Sequence, residues 1–153
     1  MATVGVISDT HGLLRPEAVE ALAGSDLIVH AGDVGDPAIL EALGSIAPVR
    51  AVRGNVDHGT WAASLPAIEV VEVAGQQLYV LHRIEDLDLD PAAAGFAAVI
   101  YGHSHRPSAE RRGGVLFLNP GSAGPVRFRL PVSLARLTVG PGELRHEFVT
   151  LDR

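Results

Sequence analysis

An α/β fold of two stacked β-sheets with helices outside is predicted by three observations. The chain has 153 residues, enough to bury one hydrophobic core and too few for two, so residues 1–153 read as a single domain. Up to Gly54, strand and helix signals alternate as β-α-β-α-β, the rhythm of parallel strands joined by helical crossovers. Beyond Gly54 the chain turns strand-rich, with Gly and Pro turns between short apolar runs.

The elements follow in order. Thr3 to Ser8 is a β-branched apolar run, and Pro16 to Ala23 places Pro in a first turn with Ala18, Val19 and Leu22 at helical spacing. Asp26 to His30 reads as a buried strand, Pro37 to Leu43 as a short helix opened by Pro, and Val49 to Val52 as a third strand. Ile68 to Val73 and Gln77 to Leu81 form a hairpin across Ala74-Gly75-Gln76. Asp90 to Phe96 is expected to be a short helix ahead of a strand at Ala97 to Tyr101. Val115 to Leu118, Ser133 to Val139 and Glu143 to Leu151 complete the strands.

Composition narrows the chemistry. The chain has no Cys, and its 12 basic residues are all Arg. Thiol nucleophiles, thiolate metal sites, disulfides, Schiff bases and the P-loop lysine are therefore excluded. Carboxylate, imidazole, amide and hydroxyl remain, and 7 His in so short a chain favour oxygen and nitrogen ligands to a metal ion. A net charge of -6 argues against a broad nucleic-acid surface, which would have to neutralise many phosphates. No apolar run approaches the roughly 18 residues that span a bilayer, so no membrane segment is expected. The chain opens on a strand-like run without a basic leader, and a cytoplasmic protein is expected.

Five clusters fall at strand ends: Asp9-Thr10-His11, Gly32-Asp33, Gly54-Asn55, His82 and Gly102-His103-Ser104-His105. The steps between Asp9, Asp33, Asn55, His82 and His103 are 24, 22, 27 and 21 residues, each about one strand plus its return connection. The carboxyl ends of such strands line one sheet edge, where open α/β sheets place their ligands. Asp9 and His11 are expected to chelate one ion with His105 returning to it. Asp33, with two oxygens, is expected to bridge to a second ion held by Asn55, His82 and His103. Two divalent ions give about +4 against about -3 from two Asp and a bridging hydroxide, an excess that would attract phosphate.

This pattern closely resembles the calcineurin-like metallophosphoesterases, and within them the small phosphodiesterases of bacteria and archaea. The resemblance runs from residue 1 to about 125 and includes Asn119-Pro120-Gly121-Ser122 as that family's closing turn. It implies a four-layer αββα sandwich of two mixed β-sheets flanked by helices. It also implies two divalent ions, manganese first with iron, zinc, nickel or cobalt as alternatives. The implied reaction is hydrolysis of a small phosphate ester, a diester before a monoester, by attack of a metal-bridging hydroxide. Two positions depart from the family. Its usual proton-donating His after Gly-Asn is replaced by Val56, leaving Asp57 and His58 as candidate proton donors. Arg83 follows His82 where Gly is usual. A retromer subunit shares this fold as a binding surface, so a catalytically weak scaffold is the alternative; that subunit lacks a metal-site His, whereas all seven ligand positions here carry competent residues.

Other residues have blander readings. His30 is expected to be buried, His146 to lie on the surface, and Glu85, Asp86, Asp88 and Asp90 to form a solvated face. His58 is read equally well as a solvated side chain, and Asp33 alone as a cap of the helix at Pro37. Arg111 and Arg112 are expected at a solvated hairpin tip. Arg53, Arg106 and Arg127 are positioned to hold a substrate phosphate or to pair on the surface. Trp61 and Leu65 would line a pocket or a homo-oligomer interface.

Overall fold

The computed structural model describes residues 1–151 and contains two five-stranded mixed sheets. The first has the order β10-β9-β1-β2-β3, where β1 is Ala2–Ile7, β2 Leu27–His30, β3 Val49–Ala51, β9 Ser133–Gly140 and β10 Glu143–Thr150. The second has the order β4-β5-β6-β8-β7, where β4 is Ile68–Val73, β5 Gln76–Leu81, β6 Ala98–Ile100, β7 Ser108–Arg112 and β8 Val115–Asn119. Within each sheet three strands run parallel, β1-β2-β3 and β5-β6-β8, with antiparallel strands outside them.

Burial follows from this stacking. Val4, Val6, Val29, Leu137, Leu78, Val80, Ile100, Leu116 and Leu118 fill the space between the sheets. On the outer face of the first sheet, Ile7, Ile28 and Leu134 meet the helices α1 (Pro16–Leu22) and α2 (Pro37–Gly44) through Ala18, Leu22, Ile39 and Leu43. Both helices begin with Pro, whose fixed φ suits the first turn. Asp36 caps α2 by accepting from the Ala38 N–H at 2.9 Å, so Asp33 is free of that duty.

The outer face of the second sheet, formed by Tyr79, Leu81, Val99, Val115 and Phe117, is covered by Ile84, Leu87 and Phe96. These come from a single 3₁₀ turn at Ile84–Asp86 and the turns that follow, not from a helix. The helix expected over Asp90 to Phe96 does not form. Ala94 and Phe96 donate to Asp90 and Pro91, but Ala92, Ala93 and Ala94 are exposed and Gly95 takes φ 85°. So short a segment with no apolar stripe to bury cannot offset the cost of helix nucleation. Two elements lie outside the expected list: the polar strand β7, and a one-turn helix α3 at Thr60–Ala63. Trp61 and Leu65 are half-buried and pack against the helix-side core.

The parallel strands end flush. Ile7 pairs with His30 and His30 with Ala51; in the other sheet Val80 pairs with Ile100 and Ile100 with Leu118. Every loop that leaves these strands therefore starts at one common edge. The loops are tied together there: Asp9 N–H donates to Gly32 O at 3.0 Å, His11 N–H to Asp33 O at 2.9 Å, and Gly102 N–H to His82 O at 2.9 Å.

Candidate metal centre

The common edge carries two groups of potential ligands, Asp9 with His11 and His105, and Asp33 with His82 and His103. Within each group the donor atoms lie within 4.8 Å of one another. Six of the seven expected ligands are thus brought together. The seventh, Asn55, lies exposed on the loop after β3, between Gly54 and Val56, which both touch Asp33, and it lines one cavity with His82.

The backbone at these positions is strained. Among the described residues, seven other than glycine have φ between +47° and +73°, and five of them are Asp9, His11, Asp33, His103 and His105. An L-residue in this region costs about 1–2 kcal/mol, a penalty typical of sites where geometry serves function. Two glycines permit the loops to close. A Cβ on Gly102 would stand 2.2 Å from Ser8 Oγ and 2.6 Å from Asp9 Oδ2, and one on Gly54 would stand 2.1 Å from Asp33 N.

Each carboxylate keeps one oxygen for the centre. Asp9 Oδ2 accepts from the Ser8 hydroxyl at 2.7 Å and from the His103 N–H at 3.1 Å. Asp9 Oδ1 is buried without a hydrogen bond and faces Nε2 of His105 at 3.4 Å, His11 at 3.7 Å and His82 at 4.0 Å. Asp33 Oδ1 accepts from the Val56 N–H at 3.0 Å, while its Oδ2 lies 3.2 Å from His82 Nε2 and 3.6 Å from His11 Nε2. One oxygen of Asp33 therefore faces a histidine of each group. His82 donates from Nδ1 to Ala31 O at 2.8 Å, which turns the lone pair of Nε2 inward, where that atom is buried without a hydrogen bond.

The residues fit metal ions. Donors about 2.1 Å from a shared ion, at 90° to tetrahedral angles, stand roughly 3.0–3.4 Å apart, close to the 3.3 Å between Nε2 of His11 and of His105. Nε2 of His11 and of His105 converge there with Asp9 Oδ1, a buried carboxylate oxygen without a hydrogen bond, and a cation would satisfy all three. The electrostatics agree. Burial alone would raise the Asp33 carboxyl, but the His82 imidazole and the Val56 N–H hold it well below the usual carboxylate range. Burial alone would lower His82, yet the Asp33 and Asp9 carboxylates and the Ala31 carbonyl raise it, so the centre draws positive charge to itself. His105 is lowered, by burial first and then by His11 and Arg127 against the pull of Asp9.

The proton-donor candidates fare differently. Asp57 is buried, and its two oxygens accept from Val34 N–H at 3.2 Å, Gly35 N–H at 2.9 Å and Gly54 N–H at 2.9 Å. Three backbone donors hold the carboxylate, which pins the β3 loop to the β2 loop. His58 is exposed on the same loop. His30 is fully buried: it accepts from the Gly32 N–H at 3.1 Å through Nδ1, so Nε2 carries the hydrogen and donates to Thr10 Oγ1 at 3.0 Å. His146 is exposed against Phe148, and the acidic stretch from Glu85 to Asp90 is solvated. Arg111 is not simply solvated, since its guanidinium donates to Leu144 O of the other sheet at 2.8 Å.

Several supporting groups surround the ligands: Asn119 and Ser122 belong to the closing turn noted in the sequence, whereas Ser8 and Ala31 carried no signal of their own. Asn119 donates to Gly102 O and to Ser104 Oγ, both at 3.1 Å, and accepts from the Gly121 N–H at 2.9 Å, bolting down the loop that bears His103 and His105. Ser122 Oγ donates to Asp9 O at 2.9 Å, and Ser8 and Ala31 fix Asp9 and His82 as described.

Comparison with known proteins gives concordant results. The calcineurin-like phosphoesterase superfamily domain matches residues 2–142. A probable metallophosphoesterase of Methanocaldococcus jannaschii is 37% identical over 151 residues, covering 89% of this chain and 75% of that protein. Among solved structures, Yfce, a phosphoesterase from E. coli, superposes with a TM-score of 0.70 at 29% identity, covering 89% of this chain and 88% of that one. Vps29 of Chaetomium thermophilum superposes with a TM-score of 0.78 at 22% identity, covering 99% and 98%, a likeness of fold.

Proposed function

This chain belongs to the calcineurin-like phosphoesterase superfamily, and from that premise we propose that it is a dinuclear phosphodiesterase acting on a small phosphate ester. One observation carries the reading: Asp33 Oδ2 faces histidines of both ligand groups, at 3.2 Å and 3.6 Å. An oxygen so placed would be available to ions held by either group. Asp9, His11, Asp33 and His105 would hold one ion, and Asp33, Asn55, His82 and His103 the other, with manganese the expected metal. Such ions supply positive charge for the phosphoryl oxygens and acidify a water for attack on phosphorus.

The chain's own residues do the rest. Ser8 and the His103 N–H fix Asp9 so that one oxygen points inward, and Ala31 fixes the His82 tautomer. Val56 places no ionisable side chain beside the centre, and the Asp57 carboxylate is occupied. Esters whose leaving groups depart without a proton suit this arrangement best, which favours activated diesters over alkyl monoesters.

The test is hydrolysis of bis(p-nitrophenyl) phosphate by chelator-treated protein before and after addition of Mn²⁺. Metal-dependent turnover that disappears in Asp33→Ala is expected. Full activity in Asp33→Ala, or no metal-dependent turnover, would sink the reading. Tightly bound metal without hydrolysis of any ester would favour the scaffold alternative.

A further inference from the structure

A cavity of about 270 Å³ opens beside the second ligand group, bordered by Asn55 and His82 on the metal side. That is just below the roughly 300–1,000 Å³ usual for drug-sized ligands. Its walls include Ile68 and Leu81, and its charged groups are Arg53, Arg83 and Asp86, two cations against one carboxylate. Neither guanidinium is locked. Arg83 meets Glu85 only at 3.5 Å between side chains 41% and 60% exposed, and Arg53 donates to the single carbonyl of Leu65 at 3.1 Å. Exposed contacts of this kind are worth little and are readily exchanged for a better acceptor.

The planar guanidinium fork matches phosphate oxygens, and two forks at one opening match a phosphate better than any neutral group. The same region lacks a committed proton donor, because Val56 is apolar and Asp57 accepts from three backbone N–H groups. A leaving alkoxide, with a conjugate acid near that of water at about 15.7, would suffer from this. A leaving phosphate, with its second pKa near about 6, departs as a stable anion at neutral pH.

We propose that this cavity is the leaving-group site and that the leaving group it takes is a phosphate monoester, so that the preferred substrate is an organic pyrophosphate cleaved at its P–O–P bond. Arg53 and Arg83 hold the departing phosphate, and the apolar wall at Ile68 and Leu81 accommodates its organic substituent. In the step, a water oxygen bonds to the phosphorus seated at the metal centre and the P–O bond to the bridging oxygen breaks. The electron pair stays on the leaving phosphate, and the water proton passes to solvent. The inference rests on the phosphoesterase reading above and adds the identity of the leaving group.

The test compares kcat/KM of the full chain loaded with Mn²⁺ on diadenosine pyrophosphate and on bis(p-nitrophenyl) phosphate. The anhydride is expected to be preferred by about tenfold or more, and the ratio of the two values to fall at least about tenfold in Arg83→Gln and in Arg53→Gln. Arg145→Gln, on the far edge strand, should keep the ratio. Cleavage of the aryl diester without the anhydride, or a ratio unchanged in both variants, overturns the inference and leaves the phosphodiesterase reading standing. Failure to cleave either substrate overturns both. A second readout needs no turnover: the ³¹P resonance of inorganic phosphate should broaden with chelator-treated protein, and less with Arg53→Gln and Arg83→Gln. No broadening, or equal broadening by the variants, also overturns the inference.

Discussion

His82 Nε2 stands 3.2 Å from Asp33 Oδ2, while its Nδ1–H is held by the Ala31 carbonyl at 2.8 Å. The imidazole therefore has one orientation and one tautomer, with its lone pair aimed at the oxygen that faces both ligand groups. Asp33 and His82 act as a unit, so Asp33→Ala and His82→Ala should each lose at least one bound ion per chain. Each should lower kcat/KM by more than the 10–100-fold typical of outer-shell changes, and the double variant should be little worse than either. Metal analysis after gel filtration and steady-state kinetics check this; two ions retained in either variant would contradict it.

The metal-free centre is expected to be a weak point of the fold. It holds five ligand residues at positive φ and leaves Asp9 Oδ1 and His82 Nε2 buried without hydrogen bonds. An ion that binds only the folded chain, at about 1,000 times its dissociation constant, adds about 4 kcal/mol. For a chain of this size that raises Tm by about 8–16 °C. Thermal unfolding with and without chelator measures it, and a Tm indifferent to chelator would mean that these donors hold no ion.

Asn119 should matter to the metal although it ligates nothing. Its amide satisfies Gly102 O, Ser104 Oγ and the Gly121 N–H in a fully buried position. Asn119→Ala strands three polar groups, at about 1–3 kcal/mol for each left unpaired, with partial relaxation. A loss of about 3 kcal/mol is expected by denaturant titration, together with a 10–100-fold weaker metal affinity because the His103–His105 loop loosens. Stability lost with affinity intact would show that the loop is held from elsewhere.

Asp57 separates a structural role from a chemical one. With three backbone N–H groups on its carboxylate, Asp57→Ala should destabilise the chain by about 3 kcal/mol, and Asp57→Asn by less because the amide oxygen keeps part of the pattern. Neither should shift the alkaline limb of the pH–rate profile. A limb displaced or abolished in Asp57→Asn would restore Asp57 as the proton donor.

The convergence of six candidate ligands was legible because it obeys a local rule. Asp9 and His11, and His103 and His105, are pairs two residues apart just past apolar strands, and flush parallel strands carry all such ends to one edge. What surrounds the ligands was not legible, since it depends on contacts distant in sequence. Asp57 reads as an ionisable group beside the site until its partners Val34 and Gly35, 23 and 22 residues away, are known. The Nδ1 partner of His82 lies 51 residues back. The segment from Asp90 to Phe96 reads as a helix by composition, but with Ala92, Ala93 and Ala94 exposed it has no apolar stripe to bury. Strand β7 was obscured by its polarity: Glu110, Arg111 and Arg112 give no apolar alternation, and only pairing with β8 makes the segment a strand.

His30 makes the fold acid-sensitive. Burial lowers its pKa to about 4, against the opposing pull of Asp9 and Asp57, while in the unfolded chain it titrates near 6.5. Between these values the unfolded state binds a proton that the folded state does not, so stability is full above about pH 6.5 and falls as pH drops towards 4. At 1.36 kcal/mol per unit the loss amounts to about 3 kcal/mol. The structural cause is specific: a proton on Nδ1 would confront the Gly32 N–H that this nitrogen accepts at 3.1 Å. His30→Asn offers an amide oxygen to the same N–H without a titratable ring. Denaturant unfolding of chelator-treated protein between pH 7 and pH 4.5 should give a steeper fall for the parent chain than for His30→Asn. His82 and His105 titrate in both proteins, so the difference between the two curves isolates position 30. Parallel curves would mean that His30 takes up its proton alike in the folded and unfolded states, or that acid opens the chain elsewhere first, and either would refute the assignment.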